Sequence, residues 1–426
     1  MKGLTALSPL VVFVALYLVI SLVAGDFYKV PITAAFLFAC IYAIAIARGT
    51  SLAERVKVFG RGAGSEGVMM MLWIFILAGA FANAAKELGC IDATVAATLS
   101  ILPSQWLLAG MFLSACFISI AIGTSVGTIV ALVPIAAGMG TATGISTAQL
   151  TAIVVGGAFF GDNLSFISDT TVVVTSSQGC RMSDKFRVNA FIVMPAAIAV
   201  LIAYVVMGAD ISSNVNANAN PALPWWLVIP YLAVFVTAVC GLNVMAALTL
   251  GIALTGIIGI GTGTTGILEW LNSIGKGILS MSELIIISMM AGGLLEVVKD
   301  NGGIDYAIKK VTSHVKGKRG AELSIAAMVS IVDICTANNT VAILTVGGMA
   351  KQIGDRFGVD KRKAASILDT FSCTMQGFLP YGAQLLMAAG LASINPTDII
   401  PYLYYPMAIG LCALTAILFR YPRRYS

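Results

Sequence analysis

The chain has 426 residues, 58% of them hydrophobic and 11% charged, with a formal net charge of +5 and a mean hydropathy of +0.94. Soluble domains carry about 25% charged residues, so the shortfall excludes a water-soluble globular protein and puts most of the surface against lipid. The single histidine, His314, rules out a multi-histidine metal site and reads as a surface residue among lysines. The cysteines lack CxxC spacing and read as small buried hydrophobes, neither disulfides nor ligands.

In chain order, apolar runs long enough to cross about 30 Å of hydrocarbon lie near 8–24, 30–47, 67–85, 188–208, 224–242, 243–261, 283–298 and 400–419. The first is long for a signal-peptide core and a second run follows at once, so it reads as a spanning helix. Regions 147–175 and 364–390 are interrupted by polar residues, and each predicts one broken crossing. Segments 104–140 and 321–352 are apolar at both ends and polar in the middle, which predicts re-entrant hairpins.

Basic residues set the orientation. Arg48, Arg55, Lys57 and Arg61 mark one loop, and Arg181, Lys185 and Arg187 a second. Lys309, Lys310, Lys316, Lys318 and Arg319 mark a third, Lys351, Arg356, Lys361, Arg362 and Lys363 a fourth, and Arg420, Arg423 and Arg424 the tail. Loops 209–223 and 391–399 contain no Lys or Arg. Ten crossings and two hairpins satisfy all of these with both termini cytoplasmic. That is the pattern of a multi-pass protein of a bacterial cytoplasmic membrane.

The halves resemble each other. "AKELGCIDATV" (85–95) matches "VKDNGGIDYAI" (298–308), and "GTSVGTIVALVPIAAGM" (123–139) matches "CTANNTVAILTVGGMAK" (335–351). "GDNLSFISDT" lines up with "LDTFSCTMQG", which sets Asp162 against Asp369 and Ser165 against Ser372. Each unit then has five crossings and one hairpin, and an odd count turns the second unit upside down. The expected fold is an all-α polytopic membrane protein of two inverted-topology repeats with broken helices at the midplane, the signature of a secondary transporter. Gly-rich stretches such as "GIGTGTTG" (259–266) lack a Walker lysine, so the reading is of a transporter driven by an ion gradient, not an enzyme.

Irregular backbone survives at membrane depth only inside protein or beside a cavity. The hairpin tips offer Thr124, Ser125 and Thr128 in the first half and Thr336, Asn338, Asn339 and Thr340 in the second, the candidate substrate-binding groups. The broken crossings carry Asp162, Asn163, Ser165 and Asp169, and then Asp369, Thr370 and Ser372, the candidate cation and proton ligands. An aspartate at bilayer depth costs roughly 2.5–3.5 kcal/mol on an insertion scale, so three of them imply function. Unwinding near Gly161 would free carbonyls at a helix C-terminus, a good environment for a cation. Na⁺ is expected at Asp162, Asn163, Asn338 and Asn339. A desolvated carboxylate that holds a proton until a cation arrives gives exchange by competition. Asp169, followed by Thr170 and Thr171, is the aspartate expected to cap a half-helix. Asp333 reads either as a helix-pairing group or as part of a proton path, and Glu296 is placed to pair with Lys299.

At "GAFFGDNLSFISDTT" and "TANNTVAI" the sequence resembles the NhaC-type sodium/proton antiporter family, through nearly the whole chain. The resemblance implies a homodimer and an elevator-like movement of hairpins and broken helices against a scaffold. On that scheme residues 1–66 and 209–282 are scaffold helices, and 67–208 and 283–426 are the transport halves of the two repeats. Na⁺ and H⁺ are the expected cargo, with lipid as the environment and no cofactor or nucleic acid. The alternative is a Na⁺- or H⁺-coupled carrier of a small organic acid or amino acid, held by backbone amides and Thr/Asn tips. A channel-like protein is a third reading, and matched breaks in two inverted repeats count against it.

Overall fold

A computed structural model describes residues 3–24, 32–48, 51–101, 103–165, 168–211, 224–240, 242–312 and 315–425. His314 and the polar loop 212–223 lie outside the described residues. The chain is all helical, and among the described residues there is no strand. Helices satisfy every backbone donor and acceptor within the segment, which is what hydrocarbon demands.

Among the described residues, six helical stretches are long and apolar enough to cross a membrane: Glu66–Glu87, Ser125–Thr143, Thr147–Gln178, Met182–Ala209, Val244–Gly261 and Ile267–Asp300. Shorter apolar helices include Leu107–Ile122 and Tyr404–Leu418. The chain is a multi-pass membrane protein.

Both polar-tipped segments are helix pairs joined by two residues. Leu107–Ile122 turns into Ser125–Thr143 at Gly123, and Gly317–Thr336 turns into Asn339–Phe357 at Ala337. Gly123 and Ala337 are both left-handed, with φ of 76° and 48°. The first suits glycine; the second is strained for a residue with a Cβ. Thr147–Leu164 is followed by Asp169–Gln178, and Lys361–Phe378 by Ala383–Ala392.

The register between halves differs from the one read off residue identity. Ser125 and Asn339, Thr147 and Lys361, and Asp169 and Ala383 all start helices, and each pair is 214 residues apart. In that register Asp162 corresponds to Gln376, each two residues before its helix ends, and Gly123 corresponds to Ala337. Asp369 instead lies mid-helix. Matching Asp to Asp had shifted the alignment by two helical turns. Gly161 does not mark an unwound turn either: the helix runs on to Leu164, and a Cβ at 161 would collide with Ser119 of the first hairpin.

The basic stretch around Arg55 is itself a helix, Leu52–Ala63, begun by a capping box between Ser51 and Glu54. It packs on Ser282–Asp300, while Ile267–Ser280 packs on Glu66–Glu87. Each crossing is a glycine pair, Gly62 with Gly292 and Gly277 with Gly79; a Cβ on any of the four would collide with its partner's backbone carbonyl. Small residues let membrane helices approach closely. Beside each crossing lies an ion pair, Arg61 with Asp300 at 3.3 Å and Lys276 with Glu87 at 3.2 Å. Glu296 pairs with Lys299 at 3.7 Å, as its position predicts.

Candidate functional site

Asp162 stands in the last turn of Thr147–Leu164 and is only 5% exposed. Its Oδ1 accepts a hydrogen bond from the backbone N–H of Ser125, at 3.0 Å. Ser125 opens the second arm of the first hairpin, where Thr124 supplies no side-chain cap. The carboxylate therefore caps that helix from outside and sits against the positive end of its dipole.

A cavity of about 110 Å³ opens in front of it. Thr124, Ser125, Asp162, Asp169, Asn338, Asn339 and Thr340 all line this space, so both hairpin tips and the first break meet there. Met70, Met71 and Ile74 of Glu66–Glu87 form another wall. Asn163, Ser165, Thr128, Thr336, Asp369, Thr370 and Ser372 are not among the lining residues. Several of them bond to backbone nearby: Thr128 Oγ1 to Thr124 O at 3.1 Å, Asn163 Nδ2 to Phe159 O at 3.1 Å, Ser372 Oγ to Asp369 O at 3.0 Å. Ser168, not Asp169, caps the half-helix, accepting from the Thr171 N–H; Asp169 is exposed to the cavity.

The second tip is held by its own amides. Asn338 Oδ1 accepts from Val341 N and Asn339 Oδ1 from Thr340 N, both at 3.0 Å. Gln376 Nε2 donates to Ala337 O at 3.0 Å and to Gln384 Oε1 at 2.8 Å, and Gln384 Nε2 donates to Ser125 Oγ at 3.1 Å. Two glutamines thus run a buried hydrogen-bond chain from one hairpin tip to the other.

The carbonyls near the first break already have donors. Asn163 O accepts from Lys185 Nζ at 2.7 Å and from Asn189 Nδ2 at 2.9 Å, and Asp162 O from Ser168 Oγ at 3.0 Å. Lys185, grouped by sequence with the basic loop, is 1% exposed, and its Nζ lies 2.8 Å from Asp369 Oδ2. Asp333 is fully buried in the second hairpin, and among the described residues neither carboxylate oxygen has a hydrogen-bond partner.

The sequence profile of the Na⁺/H⁺ antiporter family matches residues 2–209 and 217–422. The chain belongs to that family. Among curated relatives of this antiporter, the Na⁺/H⁺ antiporter NhaC of Alkalihalophilus pseudofirmus is 23% identical, with 92% of this chain and 89% of that protein covered. The NhaC of Bacillus subtilis is 24% identical over 83% of each chain. The malate-2H⁺/Na⁺-lactate antiporter of Bacillus subtilis is 23% identical over 99% of this chain and 96% of that one.

Four residues that shape the antiporter's site escaped sequence reasoning. Lys185 and Asn189 are one helical turn apart on the face that carries Val188 and Ile192, all buried. That spacing was the available signal. Gln376 and Gln384 are uncharged, so a search for charges in hydrocarbon passed over them.

Proposed function

We propose that this antiporter exchanges Na⁺ for H⁺ on one carboxylate, Asp162. The observation that carries the reading is a buried carboxylate facing a small cavity lined by oxygen-bearing residues from both hairpin tips. Ionised Asp162 needs a cation or a proton to neutralise it, because a bare buried charge is costly. Na⁺ and H⁺ cannot both occupy it, so each bound ion displaces the other. A neutral, loaded site then passes through the membrane more cheaply than a charged one.

The size of the cavity favours an ion over an organic solute. Its 110 Å³ is well below the roughly 300–1,000 Å³ of small-molecule pockets.

The architecture we propose around the site is two inverted repeats, each with a re-entrant hairpin and a broken crossing. Equal helix spacings in the halves and the reciprocal glycine crossings support it. The transport halves 67–208 and 283–426 would shift against the scaffold helices 1–66 and 209–282 in a homodimer. The basic segments and tail support both termini in the cytoplasm of a bacterial cell, with cytoplasmic Na⁺ leaving as H⁺ enters.

Proteoliposomes holding a pH gradient test the exchange. Adding Na⁺ is expected to collapse the gradient with wild-type protein, with no organic solute present. Asp162→Asn is expected to lose the effect at least 100-fold, about 2.7 kcal/mol. Full exchange by that variant, or collapse only when malate or lactate is supplied, overturns the reading.

A further inference from the structure

We propose that Lys185 is a resident cation of the transport core. It holds the first broken helix together and withdraws Asp369 from the cargo site, leaving Asp162 as the carboxylate that exchanges ions. This rests on the Na⁺/H⁺ reading above and adds which carboxylate is excluded and by what.

Of the residues expected to hold Na⁺, Asn163 is set apart from Asp162, Asn338 and Asn339: its carbonyl at the break is taken by the Lys185 ammonium. An ammonium has three donors, and here three acceptors surround it: Asn163 O at 2.7 Å, Thr171 Oγ1 at 2.8 Å and Asp369 Oδ2 at 2.8 Å. Asn163 belongs to the helix before the break, Thr171 to the half-helix after it, and Asp369 to the second broken helix. One side chain therefore bridges the gap and ties it to the other half of the molecule. Asn189 Nδ2 doubles two of these links, reaching Asn163 O at 2.9 Å and Asp369 Oδ2 at 2.8 Å.

The pair is sealed: Lys185 is 1% and Asp369 0% exposed, and neither lines the cavity that holds Asp162. Among the described residues, Asp369 Oδ1 has no hydrogen-bond partner. Removing the ammonium would leave a buried carboxylate with nothing to neutralise it except a proton or Na⁺. Removing the carboxylate would strand a buried ammonium. Losing both at once would leave no unbalanced charge, and buried ion pairs commonly tolerate joint neutral replacement far better than single removal. Lys185 acts here as a positioning residue.

The test compares Lys185→Met, Asp369→Asn and the double variant in the proteoliposome assay across pH. Each single variant is expected to lose at least about tenfold in exchange. Lys185→Met should also gain a second proton-competition step in its pH profile, as the freed Asp369 titrates. The double variant should recover most of the loss and return to a single step. A double variant that folds but does not exchange would show that Asp369 takes part in transport and overturn the proposal, and one that also gains no thermal stability from Na⁺ would make it a cargo ligand. If the double variant does not fold, equilibrium ²²Na⁺ binding to wild-type protein decides. One Na⁺ per chain, absent in Asp162→Asn, is expected; two per chain, or binding that survives Asp162→Asn, overturns it. Failure of the exchange reading shows differently, as wild-type protein in which Na⁺ moves no protons, and the binding count still judges Lys185.

Discussion

Asp162 and Gln376 each stand two residues before the end of an 18-residue helix, and each helix is followed by a 10-residue half-helix. The backbone repeats; the chemistry at the equivalent place does not. Asp162 accepts from the Ser125 N–H across the cavity. Gln376 donates, to Ala337 O and to Gln384 Oε1. On the proposed reading, one half supplies the charge that cargo neutralises, and the other a neutral brace between the tips. Two carboxylates at these positions would give a site of double charge, with Ala337 O and Gln384 Oε1 left facing a further acceptor and no donor between them.

Making the two positions alike in charge is the harshest break of this contrast. Gln376→Glu puts a carboxylate against Ala337 O and Gln384 Oε1, and both hydrogen bonds are lost. With two neutral hydrogen bonds worth about 0.5–1.5 kcal/mol each, exchange at neutral pH is expected to fall roughly 10- to 100-fold. Protonation returns one O–H donor to the side chain, so activity should partly recover as the pH is lowered. A pH profile in proteoliposomes checks this, and a variant equally impaired at every pH would mean that the brace is not what failed.

Where the halves are alike, the effect should depend on packing alone. Gly277 and Gly275 lie on the same helix, yet a Cβ at 277 would collide with Gly79 O, and one at 275 meets nothing within 4 Å. Gly277→Ala is expected to cost about 1–3 kcal/mol, the usual range for overpacking. Gly275→Ala should stay within about 0.5 kcal/mol. Denaturant unfolding in detergent separates them, and equal losses would deny the close crossing.

Much of this was legible in the sequence because polar groups in hydrocarbon are too costly to be incidental. Asp162, Thr124, Ser125, Asn338 and Asn339 stood out on that ground, and the structure gathers them around one cavity. The repeat register was not legible to the residue, because side-chain identity pulled Asp162 toward Asp369 while the backbone pairs places where helices end. Lys185 was hidden by a charge count that ignores helical phase. Arg181 and Arg187 are exposed, but Lys185 between them turns inward. Leu52–Ala63 was read as a loop for a related reason, since its charges mark the polar side of an amphipathic helix.

The contrast between neutral and charged extends in milder form to the entrances of the two broken helices. Ser146 caps the first, accepting from Gln149 N at 3.4 Å; Asp360 caps the second, its Oδ1 accepting from Arg362 N at 2.8 Å. The Arg362 guanidinium also donates to Asp360, Nε to Oδ1 at 2.9 Å and Nη2 to Oδ2 at 2.6 Å. Those hydrogen bonds hold the Asp360 carboxyl below its ordinary value. A carboxyl lowered in the folded state stabilises the fold above its unfolded pKa of about 3.9. That contribution is lost as the pH falls through the lower, folded value. Asn caps a helix about as well as Asp, so Asp360→Asn keeps the cap and removes the charge. The pair is partly exposed, so the loss at pH 7 should be about 0.5 kcal/mol, read as a small drop in Tm. Below about pH 3.9 the wild-type advantage should shrink toward zero. A gap that stays constant down to pH 3 would assign the effect to cap geometry, leaving the charge of the second entrance without consequence for stability.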